Sequence, residues 1–250
     1  MKAVEKPNLP VQADRIIIGE KYSSLLRKPL ENLGIHPLFM PDNKLVDPRL
    51  SGHADLSVLH GGGNRLWLAS HLMESRFAVQ LREMGFVLDD PRILQSPVYP
   101  GDAQLNVCIC GQYALYNPCN IPKSIAEYLT ISGHHIVPCR QGYTKCSVCV
   151  VDEGAIITED RGVEAAARRA GLEVLRIEPG FVTLEGFLHG FIGGAAFKIS
   201  NGKLAFTGTL DGSKFKVDIL NFLEKRQIEP IYLTDRPVFD IGSGLPVTEK

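Results

Sequence analysis

Apolar residues recur along the chain at helical spacing in five segments, most of which end near a glycine suited to a helix C-terminus. These segments cover residues 23–34, 70–85, 122–133, 161–171 and 213–227. A short apolar run typical of a strand follows each one: IHPLFM, FVL, HHIVP, LEVLRI and IEPIYL. The pattern therefore predicts five helix–strand pairs.

Four further segments align with one another without gaps, and each indicates a β-hairpin. They begin at Gly52, Gly101, Gly142 and Gly190 and read GHADLSVLHGGGNRLWL, GDAQLNVCICGQYALYN, GYTKCSVCVVDEGAIIT and GFIGGAAFKISNGKLAF. Their turns contain glycine, which supplies the positive φ of a tight reversal. The chain thus repeats one unit of helix, strand and hairpin.

The fifth unit is incomplete, since it reads IEPIYLTDRPVFDIGSGLPVTEK and then the sequence stops. The missing strand is expected from ADRIIIGEKY near the N-terminus, because closure with strands from both ends removes an exposed sheet edge. We predict one α/β domain over residues 1–250, a five-bladed pseudo-symmetric propeller of ββαβ repeats closed by an N-terminal strand. An open doubly wound sheet is the structural alternative. It is disfavoured because HGGGN lies within a hairpin and does not open a helix.

Composition narrows the function classes. The 250 residues are 44% apolar with a formal net charge of −1, which gives no basis for nucleic-acid or polybasic membrane binding. No apolar run approaches the ~18 residues of a membrane span, and the first residues lack the apolar core of a signal peptide. Several of the six cysteines lie in apolar strand-like runs and are predicted to be core thiols, and without a secretion signal a reducing cytoplasm is expected. The Cys146–Cys149 spacing lacks a knuckle turn, so no metal and no cofactor are expected.

The architecture and two local motifs resemble the pentein family. GHAD at residues 52–55 is similar to the G-H-x-D stretch that carries the catalytic histidine of several members, and GGGN at residues 61–64 looks like their glycine turn. The family includes guanidine-modifying hydrolases and amidinotransferases, and also non-catalytic ribosome anti-association factors. The resemblance implies a hydrolase that acts on a small guanidino or amino-acid-like compound by Cys/His chemistry.

The sequence departs from the enzyme pattern at the nucleophile. In the enzymes the glycine turn leads into a cysteine near the C-terminus, whereas Trp67 stands at that position here and the last unit has no cysteine. In this respect the chain looks closest to bacterial pentein proteins that lack the C-terminal cysteine. The alternative function is therefore a non-catalytic binding module for a small ligand or a protein partner.

The resemblance assigns His53 as general acid and base and Asp55 as a hydrogen-bond acceptor for the guanidinium. Cys146 is the best substitute nucleophile, because Lys145 beside it favours a thiolate. One feature of the pattern opposes this choice. On regular strands Cys146 corresponds to Leu56, which points away from His53 and Asp55, and only a bulge would reverse it. The competing interpretation is a buried core thiol and two side chains that bind backbone groups.

Further charged residues recur at matching places. Asp102 and Asp240 are expected to hold the guanidinium, while Arg49, Arg140 and Arg236 precede their hairpins and are expected to bind substrate at a concave mouth. The competing interpretation is that they are solvated loop charges. The sequence leaves the oligomeric state open, including a homo-oligomer.

Overall fold

The computed structural model describes residues 2–250, which form sixteen strands and seven α-helices. The strands are β1 (Lys2–Ala3), β2 (Ala13–Gly19), β3 (His36–Met40), β4 (Val58–Gly62), β5 (Arg65–Leu68), β6 (Val87–Asp89), β7 (Cys108–Cys110), β8 (Tyr113–Tyr116), β9 (His135–Pro138), β10 (Val148–Asp152), β11 (Ala155–Thr158), β12 (Glu173–Arg176), β13 (Ala196–Ser200), β14 (Lys203–Phe206), β15 (Glu229–Tyr232) and β16 (Leu245–Glu249). The helices are α1 (Ser23–Asn32), α2 (Arg76–Glu83), α3 (Lys123–Ile131), α4 (Thr144–Ser147), α5 (Arg161–Arg169), α6 (Ile192–Ala195) and α7 (Lys216–Glu224).

These strands form five small sheets, so the fold is mixed α/β. Four sheets have three strands, in the orders β4-β5-β6, β7-β8-β9, β10-β11-β12 and β13-β14-β15. In each of them an antiparallel hairpin is followed by a helix and then by a strand parallel to the second hairpin strand. The separate sheets exclude the open doubly wound alternative, and the five predicted helix–strand pairs are confirmed.

The fifth sheet joins the two ends of the chain, in the order β1-β16-β2-β3. Strand β16 pairs antiparallel with β2, with Leu245 opposite Ile17. The prediction that an N-terminal strand completes the last unit is therefore confirmed. The short strand β1 adds a further pair on the other side of β16, which the sequence pattern did not indicate.

Local sequence explains where the helices begin and which side they bury. The side chain of Asp160 accepts a hydrogen bond from the backbone N–H of Val163 at 2.8 Å, which caps α5. The buried face of α5 consists of Val163, Ala166 and Ala167, at the spacing of one helical stripe. No helix of the described chain, residues 2–250, is long and apolar enough to cross a membrane.

The residues just before the hairpins form helical turns, which corrects the expectation that His53 and Asp55 lie on a strand. Ala54–Leu56 is a 3-10 turn that follows His53, and α4 and α6 are single turns at the matching places of later units. In a helical turn the side chains no longer alternate between two faces. The argument that Cys146 must point away from His53 and Asp55 is therefore wrong.

The segments that precede successive hairpins contact one another in the order of the units along the chain. The amide of Asn106 bonds to the backbone of both Asp55 and Lys145, which lie in the preceding and the following unit. A Cβ on Gly193 would lie 2.5 Å from the carbonyl oxygen of Lys145. The backbone N–H of Ile241 in turn donates to the carbonyl of Gly194 at 3.0 Å.

The last unit also contacts the first. The backbone N–H of Asp55 donates to the carbonyl of Gly242 at 3.2 Å. Each unit therefore touches the next through the segment that precedes its hairpin or its last strand, and the side chains of these segments meet in one small region.

Candidate active site

Cys146 and Asp55 face each other in this region. The Sγ atom of Cys146 lies 2.8 Å from Oδ2 of Asp55, and both side chains are buried. Burial is the main reason that the pKa of the thiol is raised well above its usual value, and the nearby Asp55 carboxylate adds to it. The thiol is therefore protonated at neutral pH and donates to the carboxylate.

Asn106 positions both of these groups. Its Oδ1 accepts from the backbone N–H of Lys145 at 2.6 Å and from that of Cys146 at 3.2 Å. Its Nδ2 lies 3.4 Å from the Cys146 Sγ and 3.3 Å from the carbonyl oxygen of Asp55. One buried amide thus fixes the turn that carries the thiol relative to the turn that carries the carboxylate.

His53 is the third group beside the thiol. Its Nδ1 lies 3.9 Å from Oδ1 of Asp240, which is beyond hydrogen-bond distance. Burial lowers the pKa of His53 to about 4, so the imidazole is neutral at pH 7 and this approach is not an ion pair. Among the described residues, neither Nε2 of His53 nor Oδ1 of Asp55 has a hydrogen-bond partner. A buried base and a buried acceptor are therefore left without a hydrogen-bond partner in the described part of the protein.

Asp240 is held by backbone groups in a space that glycines leave open. Its oxygens accept from the N–H groups of Phe191 at 2.8 Å and Gly242 at 2.9 Å. A Cβ on Gly194 would lie 1.9 Å from Oδ1 of Asp240, and one on Gly190 would lie 2.5 Å from its Cβ. Gly193 and Gly194 therefore lie where groups of neighbouring units approach the backbone too closely for a side chain. Burial raises the pKa of Asp240 to about 6 in spite of its backbone hydrogen bonds.

Lys145 supplies the buried cation of the site. Its Nζ donates to Oγ of Ser243 at 2.7 Å, and both side chains are buried. Its charge lowers the pKa values of Asp55 and Asp240, although burial outweighs this for both carboxyl groups. The ammonium is directed at Ser243, so Lys145 acts on the carboxylates and not by contact with the thiol.

A cavity of about 290 Å³ opens onto His53, Cys146 and Asp240, and we call it the Cys146 cavity. His53, Cys146 and Asp240 line its polar part. The remainder is apolar or aromatic apart from His189, and consists of Leu50, Leu56, Tyr143, Leu184, Phe187, Leu188, His189 and Phe191. The reactive groups thus lie in a concave, mainly apolar site, as ligand sites usually do.

A loop between β12 and α6 forms one wall of this cavity, and Arg49 holds that loop. Its guanidinium forms two bonds to the carboxylate of Asp47, at 2.9 Å and 2.6 Å, and donates to the carbonyl of Gly186 at 2.6 Å. The same guanidinium lies 4.1 Å from the centre of the Phe187 ring. Arg49 therefore lies beside the cavity, where its side chain contacts Asp47 and the loop.

The remaining predicted residues, which are Arg236, Asp102 and Arg140, do not line the Cys146 cavity. Arg236 lines a second cavity of about 230 Å³, which we call the Arg236 cavity and which shares Leu184 and Asp240 with the first. Asp102 lies behind the wall, where its Oδ2 accepts from the Tyr143 hydroxyl at 2.5 Å. Arg140 is exposed and lines neither of these cavities.

The structure therefore brings together His53, Asp55, Cys146 and Asp240, whereas Asp102 reaches the cavity only through Tyr143. Sequence reasoning missed the roles of Asn106 and Ser243. Asn106 lies at the repeat position that holds Ser57 and Ser147 in other units, and this substitution of a larger amide was the available signal.

The thiol, imidazole and carboxylate also carry the donor atoms of a metal site. Ligand atoms of His53, Asp55 and Cys146 all lie within 4.8 Å of one another. One sulfur, one nitrogen and one oxygen form a donor set that suits a borderline divalent ion such as Zn²⁺. The expectation that there is no metal site stays a prediction.

Comparisons with known proteins place this geometry in context. A family profile described as "Family of unknown function (DUF6873)" matches residues 17–245. A search of curated sequences finds no match. Solved structures with the same fold are pentein enzymes, and three of them are described next.

The amidinotransferase SxtG from Microseira wollei superposes with a TM-score of 0.56 at 10% identity, over 95% of this chain and 96% of that one. Inosamine-phosphate amidinotransferase StrB1 from Streptomyces griseus has a TM-score of 0.56 at 13% identity, over 99% and 97%. DDAH from Pseudomonas aeruginosa, in a complex with citrulline, has a TM-score of 0.55 at 8% identity, over 95% and 100%. At these identities the similarity establishes the pentein fold, and the resemblance noted in the sequence is confirmed.

Proposed function

We propose, from the premise that this chain belongs to the family of unknown function DUF6873 and has the pentein fold, that it is a guanidine-modifying hydrolase. Its five units would form the blades of a single five-bladed domain, with the site at the shared axis. Six free cysteines among the described residues support action in a reducing cytoplasm. A small guanidino or amidino compound is the proposed substrate, without a cofactor.

The observation that carries this proposal is the grouping of one thiol, one neutral imidazole and one carboxylate within 4.8 Å, of which the Cys146 thiol and the His53 imidazole line a cavity. The nucleophile of the fold's enzymes is missing from the C-terminal unit, yet Cys146 supplies a thiol from a different unit. A nucleophile, a base and an acceptor for N–H groups are the parts that attack on a guanidinium carbon needs.

The electrostatics of the site favour a cationic substrate. Asp55 and Asp240 are both buried, and burial raises both pKa values. A guanidinium in the cavity would lie beside Asp240, which lines it, and its charge would offset that of Asp55, which contacts Cys146 from the buried side. It would also stabilise the Cys146 thiolate, so the nucleophile would form when substrate is bound.

The proposed reaction has two balanced steps. In the first, the Cys146 thiol transfers its proton to His53, and the thiolate sulfur forms a bond to the guanidinium carbon. The C–N bond then breaks, and the proton on His53 leaves with the amine or ammonia. In the second, His53 takes a proton from water, the hydroxide oxygen bonds to the same carbon, and the C–S bond breaks. His53 then returns its proton to the Cys146 thiolate, and the O–H proton of the product passes to the released amine or ammonia. The sum is a guanidinium and water giving a urea-type product and an ammonium ion.

Asp240 lies beside Nδ1 of His53 and would stabilise the imidazolium that forms transiently. Asp102 would keep Tyr143 in the wall of the cavity. The assignment of Arg49, Arg140 and Arg236 to substrate binding stays a prediction, and of the three Arg236 and Arg49 line the Arg236 cavity.

The second candidate is a non-catalytic binding module, and a specific observation favours it. The side chain of Cys146 is only 2% exposed and its pKa is raised, so the thiol is unreactive without a cation beside it. In that case the cavity would bind a ligand and release it without chemical change.

The two candidates are separated by alkylation with 2-chloroacetamidine, a cationic planar amidine, and with neutral 2-chloroacetamide as the matched reagent. Thiolate attack displaces chloride in both. An enzyme of the proposed kind reacts much faster with the amidine, at Cys146, and loses this preference in His53→Ala. Equal, slow rates with both reagents would support the binding module.

A further inference from the structure

We infer that the substrate carries an uncharged, apolar body on its guanidino or amidino group, and that Leu184, Phe187, Leu188 and Phe191 bind this body. The inference rests on the proposed function, because it places the guanidino group at Cys146. It adds the chemical class of the rest of the molecule.

The lining of the Cys146 cavity is divided by polarity. His53, Cys146 and Asp240 line the part next to the thiol, whereas leucine and phenylalanine side chains line most of the rest. None of the described residues that line this cavity is a lysine or an arginine. A substrate carboxylate in the apolar part would therefore be desolvated without a cationic partner, which is costly.

The cations of the neighbouring Arg236 cavity are mostly engaged. Lys21 Nζ donates to the carbonyl of Arg49 at 3.0 Å, and Arg49 is paired with Asp47. Lys21 and Arg236 have no described ion pair there, and the carboxylates of Glu185 and Asp240 line the same cavity with opposite charge. This surface offers little net attraction to a carboxylate.

An apolar body would also cover side chains that otherwise face water. Leu188 is 97% exposed and Phe187 is 39% exposed, yet both line the cavity. Each methylene that is buried against such a surface strengthens binding roughly fourfold. Two fixed aromatic rings continue the apolar wall, since the Tyr143 and Phe191 rings are 6.4 Å apart.

The wall is positioned before a ligand binds. Arg49 holds the loop through Gly186 and stacks on Phe187, and the backbone N–H of Gly190 closes the loop by donating to the carbonyl of Val182 at 2.8 Å. A preformed apolar wall loses little conformational entropy when it binds an alkyl or aryl group.

Binding to the Cys146→Ser protein, measured by calorimetry, tests the inference without requiring turnover. The probes are methylguanidine, propylguanidine, pentylguanidine and 5-guanidinopentanoate, and in the last a carboxylate replaces the terminal methyl group of pentylguanidine. We expect affinity to rise roughly threefold to fourfold for each methylene, and pentylguanidine to bind at least tenfold more tightly than the carboxylate. Leu188→Ser should reduce the gain from the longer chains, whereas Leu94→Ser, equally exposed but outside the cavity, should not.

Affinity that does not depend on chain length, tighter binding of 5-guanidinopentanoate, or no binding of any probe would overturn the inference. Turnover of these compounds by the wild-type protein is measured separately. Tight binding of pentylguanidine without turnover would support the apolar site and refute the proposed hydrolase. Turnover with a preference for the carboxylate would support the hydrolase and refute the apolar body.

Discussion

The Sγ of Cys146 lies 2.8 Å from Oδ2 of Asp55, although 91 positions separate the two residues in the chain. Burial is the largest cause of the raised pKa of the thiol, and the carboxylate of Asp55 is the second. This contact keeps the nucleophile protonated in the free protein, and a bound cation would counteract it. On the proposed function, the same pair accounts for a protonated resting thiol and predicts a preference for cationic substrates.

Replacement of Asp55 by Asn should change two alkylation rates in opposite directions. Without the negative charge the thiol pKa falls, so neutral 2-chloroacetamide should react several-fold faster with Cys146. The cationic 2-chloroacetamidine should react more slowly, because the carboxylate that attracts it is gone. The ratio of its rate to that of chloroacetamide should therefore fall at least tenfold. Rates are measured by mass spectrometry of the Cys146 peptide.

Asp102→Asn is the matched control for this pair of rates, since Asp102 is also buried but lies behind Tyr143. It should leave the ratio of the two rates nearly unchanged. Parallel slowing of both reagents in Asp55→Asn would show that Asp55 has only a structural role.

Asn106→Ala should destabilise the protein and misplace the thiol. The variant leaves the backbone N–H groups of Lys145 and Cys146 without their buried acceptor, which should reduce the free energy of unfolding by about 1–3 kcal/mol. Urea unfolding measures this loss. Gln104→Ala is the control, because the side-chain carbonyl of Gln104 has no partner. Equal stability of the two variants would contradict the positioning role of Asn106.

The repeating architecture was predictable from the sequence because the apolar residues of helices and of strands recur at different spacings. The five helices, the strands that follow them and the pairing of β2 with β16 all came from apolar spacing and glycine turns. Contacts that no such pattern marks could not be predicted. The pair formed by Lys145 and Ser243 depends on contacts between distant units, which no local signal encodes.

The error about Cys146 has a physical cause. Alternation was extended from the hairpin strands back into residues 54–56 and 144–147, which instead form helical turns. Such short turns contain too few residues to reveal a period. The identities of His53, Asp55 and Asp240 were predictable, whereas the direction in which Cys146 points was decided by tertiary contacts with Asn106.

Binding of a guanidinium should weaken in acid because Asp240 must be ionised. Its pKa in the folded protein is raised to about 6, so the carboxylate is lost as the pH falls through that value. We expect pentylguanidine to bind the Cys146→Ser protein about tenfold more weakly at pH 5 than at pH 7. Asp240→Asn should show a flatter dependence. Unchanged affinity from pH 5 to pH 7 would exclude a charge-dependent role for Asp240.

Glu159 should make the protein less stable as the pH rises. One of its oxygens accepts from the N–H of Ile192, the other has no partner, and burial raises its pKa from 4.5 to about 8. The folded state therefore retains a proton that the unfolded chain releases, and stability falls between pH 4.5 and 8. The effect of Glu159→Gln on the free energy of unfolding should be more favourable at pH 9 than at pH 4, by roughly 2–4 kcal/mol.

Urea unfolding of both proteins at the two pH values measures this difference. The exposed Glu224→Gln serves as the control and should follow the wild type. A Glu159→Gln protein that loses stability in parallel with the wild type as the pH rises would contradict the raised pKa.

The most direct test of the central claim is the intact mass of the protein after acid quenching during reaction with pentylguanidine. The account predicts a covalent adduct on Cys146 that is absent from Cys146→Ser. An adduct that retains the pentyl group shows that ammonia has left, and an adduct of the amidino group alone shows that pentylamine has left. Product formation without any adduct on Cys146, or no reaction with any guanidino compound, would contradict the account.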